Sequence, residues 1–91
     1  MTASPPTDLE LVSVLRAVQQ GDEADALLDN DGLASALGLS LDDVAQRLED
    51  AKARGLIWGF RNGQRPAPWY TDLELTVQGR RFLAIHKAEL A

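Results

Sequence analysis

Arg61 and Arg65 flank Asn62-Gly63-Gln64, whose Asn-Gly step favours a tight turn. Guanidiniums at the tip of a turn suit oxyanions, because each presents a planar fork of donors that matches a phosphate. Arginines on a loop also serve as ordinary solvated charges, and the residue types leave both roles open. A second set of groups works against phosphate: Asp42, Asp43, Glu49 and Asp50 surround Gln46. Gln46 can pair with an adenine edge. The four carboxylates would repel a phosphate backbone. Asp42 and Asp43 have a local explanation, since acids in the first turn of a helix favour its dipole. Glu49 and Asp50 are expected to form a solvated face, with Asp50 paired to Arg54 one turn on.

Enzymatic chemistry finds little material. There is one histidine, His86, and no cysteine. Asp29-Asn30-Asp31-Gly32 has the ring of a calcium loop without its full spacing or closing glutamate. Asp42 and Asp43 are adjacent, so on a helix they diverge and cannot act as a carboxylate pair. The expectation is a non-enzyme with no cofactor and no metal.

The net charge of −5 is unevenly spread. Residues 1–37 hold seven acids and one base, whereas residues 57–91 hold three acids and five bases. Any nucleic-acid surface is therefore expected in the C-terminal third. No apolar run is long enough to span a bilayer, and the first residues lack the basic and apolar segments of a signal peptide. Together with the lack of cysteine, this points to a cytoplasmic protein.

The elements that must carry these groups can be placed from caps and periodicity. Residues 1–6 read as a flexible tail and 7–91 as one domain. Thr7-Asp8-Leu9-Glu10 is a capping box, and Leu11, Val12, Leu15 and Val18 recur at helical spacing, which predicts a helix over 8–20 ended by Gly21. In residues 22–29, Ala24, Leu27 and Leu28 fit one helical turn or a short extended segment, and the helical turn is the preferred reading. Asn30 or Asp31 caps a second helix to Leu37, and Gly38 closes it. Ser40 caps a third helix over 41–54, with Leu41, Val44, Leu48 and Ala51 inward and Gly55 beyond its end. Leu56–Phe60 and Trp69–Leu75 are rich in strand formers and bracket the Asn-Gly turn. Thr76 caps a last helix over 77–90 that buries Phe82 and Ile85, with Leu83 a further inward candidate.

Two motifs carry a resemblance. Leu33-Ala34-Ser35-Ala36-Leu37-Gly38-Leu39-Ser40, followed by Val44 and Leu48, describes two short helices crossing at a tight turn. Leu75-Thr76-Val77-Gln78-Gly79-Arg80-Arg81-Phe82-Leu83 follows at the distance of a hairpin. Over roughly residues 30–85 the sequence resembles the winged helix-turn-helix superfamily, in particular regulators of the multiple-antibiotic-resistance (MarR) type. The resemblance implies a mainly α fold with a small β-hairpin: a three-helix core, a wing and a C-terminal helix.

It also implies that the third helix lies in the major groove of duplex DNA. Gln46, Arg61 and Arg65 would then be the main contacts, with Ser40 and Asn62 supporting them, in a homodimeric transcription regulator. Leu41, Asp42, Asp43, Ala45, Gln46, Glu49 and Asp50 would face outward. Val77, Leu83 and Leu90 are candidate dimer contacts. The alternative is a protein-interaction module that keeps the fold without binding DNA. It would use the acidic helix or an aromatic interface on the wing, with Trp58, Trp69, Tyr70, Leu83 and Leu90 as candidates. Arg80 and Arg81 stand at a helix start against the dipole preference, which suits a partner role, but an ion pair with Glu74 or Asp72 is the favoured expectation.

Overall fold

A computed structural model describes residues 8–62 and 69–86. The elements are α1 (Asp8–Glu23), α2 (Asn30–Leu37), α3 (Leu41–Ala53), β1 (Ile57–Asn62), β2 (Trp69–Leu75) and α4 (Val77–His86). This is the expected order: three helices, an antiparallel hairpin and a closing helix. Among the described residues, no helix is long and apolar enough to cross a membrane.

α1 is the hub. Leu11, Val12, Val14, Leu15 and Val18 are all fully buried, because α2, α3, α4 and β2 each pack against this helix. The expected stop at Gly21 does not occur. α1 continues to Glu23, and Asp25, with φ 57, supplies the left-handed residue near its end. Gly21 serves a different purpose: the following turn passes so close that an added Cβ would lie 2.8 Å from the carbonyl oxygen of Ala26. Within 22–29, Asp22 and Glu23 complete α1, Ala24 and Asp25 turn, and the chain then leaves without further helix, with Leu28 bridging Leu73 on the edge of β2 away from β1.

The helix-turn-helix follows its caps. Asp29, rather than Asn30 or Asp31, caps α2 by accepting from the Gly32 N–H at 2.8 Å. Gly38 takes φ 67, and Ser40 Oγ accepts from the Asp43 N–H at 3.1 Å to start α3. Val44, Leu48 and Ala51 face the core as expected. Ala45 is also buried, so it is not an outward position, and Leu41 is exposed. Gly55, at φ 73, releases the chain into β1.

The hairpin is bent by a bulge. Trp58 pairs with Glu74 and Phe60 with Thr71, so Asp72 and Leu73 together face Gly59. Asp72 adopts φ 54, and a side chain at Gly59 would press on the Thr71 carbonyl and on Leu73. Such a bulge increases local twist. It also seats Leu73 in the core beside Leu28.

Thr76 joins the hairpin to α4. Its Oγ1 donates to the Gly55 carbonyl at 2.6 Å and accepts from the Gly79 N–H at 2.9 Å. The buried face of α4 is partly the expected one: Leu83 is buried beside Gly79 and half-buried Phe82 packs against the core, but Ile85 is 73% exposed.

Candidate nucleic-acid interface

One carboxylate of α3, that of Glu49, reaches both strands of the wing. Glu49 accepts a short hydrogen bond from the Tyr70 hydroxyl of β2, and it lies 3.5 Å from Nε of Arg61 on β1. Glu49 is therefore half-buried and engaged, not the free solvated acid expected from its position. Gln46 stands one helical turn before Glu49, so the two share a face of α3. The structure thus brings exposed Gln46 and exposed Arg61 to one flank of the molecule.

The remaining α3 groups are mixed in charge. Asp42 and Asp43 are exposed in the first turn, and Arg54 Nε lies 3.1 Å from Asp50 Oδ2, the expected pair. Ser40 is exposed, but its hydroxyl is committed to the cap. Arg47 is half-buried and adds a basic group to a helix surface whose expected outward positions include no base. Its signal was available in its type, since an arginine beside a core position extends its head toward solvent.

On the wing, Asn62 ends β1 opposite Trp69, while its side chain, Arg65 and Leu90 lie outside the described residues. Trp58 is 60% exposed, with the Lys52 ammonium 5.4 Å from its ring centroid, and Phe60 is exposed beside it. Trp69, Tyr70 and Leu83 belong to the core and offer no free face to a partner. Their burial follows from the path of β2 over α1 and from the inward register of α4. Arg80 pairs with Asp22 at 3.9 Å, rather than with Glu74 or Asp72. No cluster of metal-binding side chains occurs among the described residues.

The Tyr70 phenol is pushed up to about 12, first by burial and then by the hydrogen bond and negative charge of Glu49, with Arg61 opposing. A raised phenol holds its proton more tightly in the folded state than in the unfolded chain. The resulting stabilisation is complete below about pH 10 and is lost as pH rises toward about 12. Tyr70 is the sole tyrosine, so an ultraviolet titration reads it alone. The expected midpoint lies well above 10 and falls in Glu49→Gln; an ordinary midpoint in the folded wild type would refute the contact.

Comparison with solved structures agrees with this architecture. The transcriptional regulator PcaV from Streptomyces coelicolor, in complex with its natural ligand, superposes with a TM-score of 0.64 at 25% identity. The match covers 99% of this chain and 61% of PcaV, so the chain spans less than two thirds of that neighbour's length. FabT from Streptococcus pneumoniae, in complex with DNA, matches with a TM-score of 0.57 at 20% identity over 91% of this chain and 52% of its own. No family model matches the sequence, and no curated protein does.

Proposed function

We propose that this chain, whose fold is the winged helix of MarR-type regulators, binds duplex DNA as a transcription regulator, with α3 entering the major groove and the wing on the flanking backbone. The carrying observation is that Glu49, one turn beyond exposed Gln46 on α3, pairs with Arg61 of the wing. FabT in complex with DNA supports the same use of the fold, and the likeness to a transcriptional regulator favours binding over catalysis. Gln46 reads a base edge. Arg61 and Arg65 contact phosphates, Asn62 supports the wing, and Ser40 presents the start of α3. A cytoplasmic homodimer completes the reading, with exposed Val77, together with Leu90, as its contacts.

The acidic first turn of α3 limits affinity, so the test belongs at low salt. Arg61→Ala with Arg65→Ala is expected to weaken binding and to flatten the slope of log K against log salt by up to about two, near 0.9 for each phosphate left unneutralised. An unchanged slope removes the wing from the interface. If wild type retains no duplex at about 50 mM salt, the DNA reading itself fails. The second reading, a protein-interaction module, is favoured by exposed Trp58 and Phe60. It predicts a stoichiometric protein complex that Trp58→Ala dissolves, together with silence toward DNA.

A further inference from the structure

The Arg61 guanidinium already faces an oxyanion, the Glu49 carboxylate at 3.5 Å. That carboxylate engages β1 through Arg61 and β2 through Tyr70, from one turn beyond Gln46 on α3. We propose that Glu49 is a positioning residue that sets the wing against α3 and competes with a DNA phosphate for Arg61. The inference rests on the duplex-DNA reading above and deepens it.

Carboxylate and phosphate offer the same oxyanion chemistry to a guanidinium. The side chains of Arg61 and Glu49 are 59% and 43% exposed, so a phosphate can reach the pair. An ion pair this open is weak and yields to a polyanion. Tyr70 differs: it is 2% exposed, and its hydroxyl anchors Glu49 from the core side. When Arg61 turns to a phosphate, Glu49 therefore stays on α3 beside it. The free protein thus holds its wing in place at a cost to DNA affinity, and that cost is concentrated on Arg61.

A double-mutant cycle tests this, with Glu49→Gln, Arg61→Ala and the double variant titrated against a short fluorescent duplex at about 50 mM salt. Glu74→Gln on β2 serves as the control for the change in net charge. Glu49→Gln should tighten binding by about three- to fivefold when Arg61 is present, the scale of one exposed ion pair. When Arg61 is absent, the gain should shrink to that of Glu74→Gln. The Tyr70 titration midpoint should fall in Glu49→Gln and stay in place in Glu74→Gln, a readout independent of DNA. Glu49→Ala should reproduce the coupling if the glutamine finds a new partner.

Equal gains with and without Arg61 would overturn the proposal and leave DNA binding standing. Absence of binding in all four proteins of the cycle would overturn both.

Discussion

Replacing Gly79 with alanine is expected to destabilise the protein by about 3 kcal/mol or more, the upper range for forced overpacking. Helix propensity alone predicts the opposite sign, since alanine is favoured over glycine inside a helix by about 1 kcal/mol. Packing decides the outcome. A Cβ at Gly79 would lie 2.1 Å from the Leu56 carbonyl oxygen and 3.1 Å from its carbon. Both are backbone atoms, so no rotamer change relieves the clash. α4 would have to move away, yet the same oxygen accepts from the Thr76 N–H at 3.1 Å and Thr76 Oγ1 donates to Gly55. Gly38→Ala is the comparison: it meets no atom within 4 Å and suffers only from a left-handed φ of 67, about 1–2 kcal/mol. In thermal melts Gly79→Ala should fall by about 12 °C or more, on the usual scaling for a domain of this size. A Gly79→Ala melt as high as that of Gly38→Ala would show that the close approach is not tight.

The same glycine explains why apolar spacing misplaces part of the buried face of α4. Phe82 and Ile85 are spaced as a helical face, and apolar content alone selects them. The face is set instead by closest approach. Gly79 abuts the Leu56 backbone, and Leu83, four residues on, shares that face and is buried, which leaves Ile85 in solvent. Local signals elsewhere were legible because they act within one turn: the Ser40 cap, the left-handed Gly38 and Gly55, the Thr76 cap and the Asp50–Arg54 pair all lie where spacing placed them. Contacts between distant segments were not legible. The Leu28–Leu73 bridge and the Asp72 bulge depend on how β2 crosses α1, and no local periodicity encodes that crossing. The candidate site divides the same way. Arg61 and Gln46 were visible by residue type, whereas Glu49 carries the pattern of any surface acid until β1 and β2 are laid beside it.

Asn30 is the second position where a small change should have a large effect. It is fully buried, at the first residue of α2, and its Oδ1 accepts from the Tyr70 N–H at 2.8 Å across 40 residues of sequence. Asn30→Ala leaves that buried N–H without its acceptor, which costs about 1–3 kcal/mol before any cavity is counted. Asn30→Leu fills a similar volume but leaves the same donor unpaired, so it should not restore stability. Denaturant melts should therefore show both variants clearly destabilised, and hydrogen exchange should show the Tyr70 amide losing protection. A stable Asn30→Leu protein with the amide still protected would mean that Tyr70 is held by packing alone. The consequence reaches the proposed interface. The backbone bond seats Tyr70, Tyr70 holds Glu49, and Glu49 faces Arg61. Loosening the first link should let the Tyr70 phenol relax from about 12 toward its ordinary 10 while the protein is still folded. Such a relaxed phenol in a folded Asn30 variant would separate the seating of the wing from the stability of the domain.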